Sequence, residues 1–272
     1  MTAETDAPDP TSSLLAFFGS ELRRVRTAAG LSQGECAKRA HTTQAMISYV
    51  EAARRVPSED LARDLDVAFG TDGHFGRLHP LVIRFAYPSW FLPYVEMKRE
   101  ATSIRSFQAQ VIPGLLQTEE YARAVLAGGR PDSLDDLVAA RMTRQSLFER
   151  ENPPHTWFVI DEYALIRPLA TSANMRRQLE HLLHASEQPR TVIQVVPRDA
   201  PPHPGLDGSF TIMGFDSGED VLHVNGFSQG RMAVDVAEVT AASYSYDLIR
   251  AMALSPNASA DLIRKHLEEL GP

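Results

Sequence analysis

Through the first seventy residues apolar side chains recur every three to four positions, the period of an amphipathic helix. Leu14, Phe18, Leu22 and Val25 fall on one side of a predicted helix within residues 11–29. Leu61, Leu65, Ala68 and Phe69 do the same in a fourth helix stopped by Gly70, and Leu81, Val82 and Phe85 belong to a fifth. Between the first and the fourth lies the most ordered stretch of the chain, Ala29 to Arg55. Gly30 closes the first helix, because glycine takes the left-handed C′ position without steric cost. Ser32 with Glu35 three residues on is a capping box, and Leu31 and Cys36 occupy the two positions of a hydrophobic staple. Ala37 and Ala40 allow close approach of a neighbouring helix, His41-Thr42 is a turn, and Thr43 caps a third helix. In that helix Met46, Ile47 and Val50 point to the core, while Gln44, Ala45, Ser48 and Tyr49 make a small polar face of the kind that enters a major groove.

Beyond residue 100 the period mixes. Residues 104–112, 156–161 (TWFVID), 191–196 (TVIQVV), 209–215 and 221–224 read as strands, the last two joined by the turn Asp216 to Asp220. Thr118 caps a short helix, Ser133 a longer one running to about Arg150, and residues 172–187 a third with Leu179, Leu182 and Leu183 on one side. Residues 231–254 read as one long helix, and Ser255-Pro256 starts the last. The predicted fold is an N-terminal all-α helix-turn-helix head (14–88), preceded by a disordered tail (1–13) and followed by a mixed α/β domain (89–272). The boundary falls at Pro88 to Pro93, where Trp90 and Phe91 are expected to pack between the parts.

Charge changes this picture in one respect. The 272 residues carry a net charge of −8, a poor match to phosphate. Yet Arg23, Arg24, Arg26, Lys38, Arg39, Arg54 and Arg55 surround the helix-turn-helix stretch, so the acidic excess lies mostly in the body. No apolar run is long enough to span a bilayer, the start lacks the basic and apolar segments of a signal peptide, and there is one cysteine. A cytoplasmic protein without internal disulfides is the expectation.

The stretch resembles the phage-repressor (XRE, or Cro/C1) type of helix-turn-helix in Arg26, Gly30-Leu31-Ser32-Gln33, Ala37, Thr42-Thr43-Gln44, Ile47-Ser48 and Glu51. The resemblance implies that Gln33 caps the second helix against a DNA phosphate and that Gln44 and its neighbours read bases. It also implies a partly buried ion pair, Arg26–Glu51. With the flanking cations, the DNA-binding set is Gln33, Thr43, Gln44, Ala45, Ser48, Tyr49, Arg54 and Arg55. The body is similar to the C-terminal domain of the antitoxin-like and WhiJ-like transcriptional regulators of actinobacteria. The similar segments are IPGLLQTEEYARA, RMTRQSLFER, MRRQLEHLL, QVVP with HPGLDGSF, and the closing SPNASADLIRK. That resemblance implies a small companion protein as partner and no assigned activity.

The search for chemistry yields little. There is no phosphate-binding glycine loop and no nucleophile elbow. Cys36 sits at a core position and is read as structural. Asp161-Glu162 follows a strand and is read as a helix cap rather than an acid–base pair. His181 and His184 have a metal-compatible spacing, but nothing nearby completes a ligand set, and His155, His203 and His223 could join only through the fold. Gln117 and Thr118, in the distinctive Pro113 to Thr118 turn, are the candidate ligand or partner site; the alternative is a tight turn burying two leucines. The expectation is a non-enzymatic regulator of transcription that binds double-stranded DNA, pairs as a homodimer, and uses no cofactor, metal or membrane. The rival is a small-molecule sensor or enzyme tethered to a DNA-binding head, its ligand unknown.

Overall fold

The computed structural model describes residues 8–86, 92–216, 218–226 and 230–271. The chain separates into two compact units: residues 1–89 with 129–143, and residues 90–128 with 144–272. Trp90 and Phe91 lie outside the described residues.

The first unit holds α1 (Leu14–Ala28), α2 (Gln33–Arg39), α3 (Gln44–Glu51), α4 (Glu59–Phe69) and α5 (His74–Ala86). The chain then passes through α6 (Leu92–Glu100) and α7 (Glu119–Ala127) of the second unit and returns to the first with α8 (Leu134–Thr143). Side-chain oxygens of Ser13, Ser32, Thr43 and Ser58 cap α1 to α4, each accepting from a backbone N–H of the first turn. Gly30 (φ 67°) and Gly70 (φ 62°) take the left-handed positions that end α1 and α4. Phe18, Leu22, Ile47, Val50, Leu65 and Phe75 are wholly buried, and the rings of Phe18 and Phe75 meet at 5.2 Å. Each such side chain removed from water stabilises by about 1.5–3 kcal/mol. The buried side of α1 is Leu15, Ala16, Phe18, Gly19 and Leu22, whereas Leu14 and Val25, expected in the core, are only half-buried. The stripe turns toward Gly19 because α1 crosses α3 there: a Cβ on Gly19 would stand 2.4 Å from the Val50 carbonyl oxygen. α8 buries Val138, Ala139, Ala140 and Met142 and packs on α5; the Val56 N–H donates to Thr143 Oγ1 at 2.8 Å.

Part of the N-terminal segment is ordered. Asp9 accepts from the Thr11 N–H (2.9 Å) and hydroxyl (2.8 Å), and Ser13 caps α1. Short polar side chains close onto nearby backbone in this way, which composition alone presents as a tail.

The second unit is a six-stranded sheet between helices. Its strands are β1 (Ser103–Gln108), β2 (His155–Asp161), β3 (Thr191–Val196), β4 (Phe210–Gly214), β5 (Val221–Val224) and β6 (Arg231–Ala233), in the order β3-β2-β1-β4-β5-β6. β1, β2 and β3 run parallel; β4, β5 and β6 are antiparallel to their neighbours. The remaining helices are α9 (Glu162–Ile166), α10 (Ser172–Ser186), α11 (Val236–Met252) and α12 (Pro256–Glu269). Alternation along the strands feeds two cores. Ile104, Phe158, Ile160, Ile193, Val195 and Met213 meet side chains of α7, α10 and α12, among them Tyr121, Leu179 and Ile263. Phe107, Val159, Val196, Phe210, Ile212 and Leu222 face Val239, Tyr246 and Ile249 of α11. This is an all-α head followed by a mixed-sheet α/β domain.

Three expectations change. Residues 231–233 pair with β5 as a strand, and the following helix starts only at Val236 under an Asp235 cap. The helix after Ser133 ends at Thr143 and gives way to a 3-10 segment, Arg144–Glu149, where the chain crosses between units. Residues 92–100 form α6, which the aromatic- and proline-rich composition had concealed. Among the described residues no helix is long and apolar enough to cross a membrane.

Candidate nucleic-acid interface

The local chemistry of α2 and α3 places the candidate residues. The Ser32 hydroxyl accepts from the Glu35 N–H at 3.2 Å, and the Ser32 N–H donates to Glu35 Oε2 at 2.8 Å, so the capping box is closed in both directions. His41 then takes a left-handed backbone (φ 49°), and Thr43 Oγ1 accepts from the Met46 N–H at 3.2 Å to start α3. Ile47 and Val50 are buried and Met46 half-buried. Thr43, Gln44, Ala45 and Tyr49 are exposed, with Ser48 half-buried beside them. One side of α3 is therefore core and the other a compact set of short and amide-bearing groups.

Glu51, at the end of α3, is 1% exposed and fixes the helix from behind. Arg26 Nε and Nη2 donate to its two carboxylate oxygens at 2.5 and 2.9 Å, the paired geometry in which guanidinium and carboxylate bind most strongly. Arg26 Nη1 also donates to the Leu31 carbonyl at 2.8 Å. The Arg26 pKa is raised, chiefly by the Glu51 bond. Gln33 Nε2 donates to Glu51 Oε2 at 2.9 Å, and Arg23 Nε stands 3.8 Å from the same oxygen. The structure thus brings Gln33, Arg26 and Glu51 into one network that ties α1 and the start of α2 to the end of α3. Cys36 is buried behind it, and burial, with Glu51 second, pushes its thiol up to about 11. Such a thiol stays neutral and unreactive. Past α3, Ala53 turns left-handed (φ 54°), Arg54 is exposed, and the Arg55 guanidinium lies 5.2 Å from the Tyr49 ring centroid, a cation–π contact.

Gln117 and Thr118 are engaged inside the second unit. Gln117 is 1% exposed, and its Nε2 donates to the Ile112 carbonyl at 2.7 Å. Thr118 caps α7 through the Tyr121 N–H, and its own N–H donates to Gln178 Oε1 at 2.7 Å. Gln178 Nε2 and Gln145 Nε2 donate to the carbonyls of Leu116 (2.7 Å) and Gln117 (2.6 Å). The segment is a buried turn closed by three glutamine amides, with Leu115 and Leu116 beneath it, rather than a pocket wall.

Asp161 ends β2 and caps α9, accepting from the Tyr163 N–H at 2.9 Å; burial raises its pKa. Its neighbour Glu162 points inward. Glu162 Oε2 accepts from the Arg198 N–H at 2.7 Å, and Oε1 lies 3.0 Å from His266 Nε2, whose Nδ1 is 3.0 Å from Glu269 Oε2. A carboxylate–imidazole–carboxylate chain 104 residues apart in sequence pins α12 to α9, and local spacing gives no sign of it. His181 is half-buried and His184 exposed on α10, with His184 Nδ1 3.9 Å from Glu187. His223 is buried on β5, stacked on Tyr94 at 3.9 Å. His203 accepts from the Gly205 N–H through Nδ1 at 3.2 Å. Among the described residues no group of three or more His, Cys, Asp or Glu is placed to hold a metal.

Residues 18–74 match the family model described as a helix-turn-helix domain, which marks the head as a DNA-binding module and the protein as a regulator. No curated protein and no solved structure matches the chain. Residues 91–265, well over half of the chain, match the Domain of unknown function (DUF5753), and the chain belongs to that family.

Proposed function

We propose that this protein is a sequence-specific transcriptional regulator of the XRE type that docks α3 in the major groove. Gln44, with Ala45, Ser48 and Tyr49 beside it, reads base edges, while Gln33, Thr43, Arg54 and Arg55 hold the phosphates. One observation carries the reading. The exposed face of α3 consists of short, amide and phenol side chains, and the helix is fixed from the protein side by the Arg26–Glu51–Gln33 network. Recognition helices need that combination of a free reading face and a rigid back. In the free protein the Gln33 amide is spent on Glu51, so a phosphate is met by its carbonyl-free side only after the amide turns, or by the backbone N–H groups at the start of α2.

The second unit serves regulation rather than catalysis. Asp161 and Glu162, its carboxylate pair, are both used to cap and pin helices. It pairs two copies of the chain, and in the antitoxin-like organisation suggested by its sequence segments it also receives a small companion protein in the cytoplasm.

Gln44→Ala tests the DNA reading. It is expected to cost about 1–3 kcal/mol on the cognate site and almost nothing on unrelated duplex. A selected operator bound by wild type and variant with equal affinity ends the base-reading role of Gln44.

A further inference from the structure

The solvent face of α11 is of a different kind from those of the helices around it. Over its 17 residues the exposed positions are Val236, Ala237, Thr240, Ala241, Tyr244 and Ala251, with one charge, Asp247. On α12 the exposed positions include Asp261, Arg264, Lys265, Glu268 and Glu269, the ordinary coat of a helix that meets water. Tyr244 is 67% exposed and Val236 59%, and Val234, just ahead of the helix, is also 59% exposed. The other side of α11 is already committed: Val239, Tyr246 and Ile249 fill the core, and the Tyr246 hydroxyl donates to the Trp157 carbonyl at 2.9 Å. A long helix apolar on both sides is one with a second neighbour to meet.

We infer that this face of α11 packs antiparallel against the same face of a second copy of the chain, about a two-fold axis passing between Thr240 and Ala241. The inference rests on the reading above that the second unit pairs two copies, and it supplies the surface. Three points favour a second copy as the occupant. An isologous contact must be complementary to itself. In the antiparallel register Tyr244 of one helix lies over Ala237 of the other, large on small, twice by symmetry. The single charge sets the sense of packing: parallel pairing would set two Asp247 carboxylates against each other, and antiparallel pairing carries them to opposite ends of the contact. Small residues at 237 and 241 also permit the short end of the usual 8–10 Å spacing between helix axes.

The size of the face fixes its strength. A 17-residue helix is about 25 Å long and about 10 Å wide. Its footprint is therefore about 250 Å² per copy, well short of the ~800 Å² per partner of a standard stable interface. The pairing is weak in dilute solution and becomes effective when two heads occupy one duplex, where the second contact is intramolecular.

The test uses the full chain carrying Ala241→Cys, because the native Cys36 is buried and out of reach of reagent. A short bis-maleimide at high micromolar protein is expected to give a covalent dimer. The same treatment of Asp261→Cys on α12 should not. Adding Tyr244→Asp to Ala241→Cys should cut dimer yield at least about tenfold, without changing the circular dichroism of this exposed site. Equal cross-linking at 241 and 261, yield unaffected by Tyr244→Asp, or no cross-link at 241 in a protein that binds two half-sites cooperatively would each overturn the assignment. Cross-linking of Ala241→Cys to a different small protein in native extract, with no self-dimer, gives the face to that protein and overturns it as well. Binding of a single-half-site duplex is measured in parallel. Its absence in wild type refutes the DNA reading and leaves the cross-linking result to decide the surface by itself.

Discussion

Replacing Glu51 with alanine strands three donors at once. Arg26 loses two charge-assisted bonds at 2.5 and 2.9 Å, and Gln33 loses one at 2.9 Å. The Arg26 side chain is 12% exposed, too little for water to restore its solvation in place, while Arg23 at 29% can turn outward. A hydrogen bond to a charged group contributes about 1.5–3 kcal/mol, and breaking a buried pair from one side costs about 3–5 kcal/mol. We expect the first unit to lose about 3–5 kcal/mol. The full chain offers a clean readout, because both tryptophans, Trp90 and Trp157, belong to the second unit. In urea, the 222 nm dichroism of the variant should show an early transition that leaves tryptophan fluorescence unchanged. The double variant Arg26→Met with Glu51→Leu should recover most of the loss, since apolar groups of similar size leave no uncompensated charge. If Glu51→Ala melts with wild type, or the double variant is as damaged as the single, the network contributes nothing and the reasoning fails.

Gly19→Ala should destabilise the same unit by about 1–3 kcal/mol, because its Cβ would meet the Val50 carbonyl oxygen at 2.4 Å; an unchanged dichroism transition would mean that α1 and α3 separate freely. His223 gives the second unit an acid sensitivity. Burial first, then the cations Lys98 and Arg144, lower its pKa from 6.5 to about 4. Below 6.5 the unfolded chain takes up a proton that the folded one refuses, so stability falls between pH 6.5 and about 4, by about 3 kcal/mol in all. Urea titrations followed by tryptophan fluorescence should show this slope in wild type and lose it in His223→Gln; parallel slopes would count against the assignment.

The head was legible because its punctuation is local. Ser32 with Glu35, Thr43 ahead of α3 and Gly30 after α1 each act within four residues, so sequence spacing is the physics. The division of α3 into buried Ile47 and Val50 and exposed Gln44, Ala45 and Tyr49 follows from helical period alone. What spacing could not supply is anything set by long-range packing. Gly19 adds no apolar signal yet marks the closest approach of α1 to α3. The place of Gln33 on Glu51 and the Glu162–His266–Glu269 chain depend on partners brought together from afar. β1 lies between β2 and β4, a neighbour more than a hundred residues away, so the sheet order could not be read along the chain. The error at 231–233 has a plainer cause. Met232, Ala233, Val234 and Val236 continue an apolar pattern into the helix, and only the Asp235 cap separates strand from helix.

The return of α8 to the head has a consequence for inheritance. The match to DUF5753 begins at residue 91 and includes residues 134–143, yet that helix buries its side chains on α5, and its Thr143 hydroxyl accepts the amide of Val56. The family's segment therefore carries a part of the module that precedes it. A recombination joint near residue 89 would deliver a head with an uncovered α5 and a body with an orphaned amphipathic helix. Heads and bodies in this lineage can be exchanged only as matched pairs, or with compensating changes where α5 meets α8, so substitutions on those two helices should be inherited together.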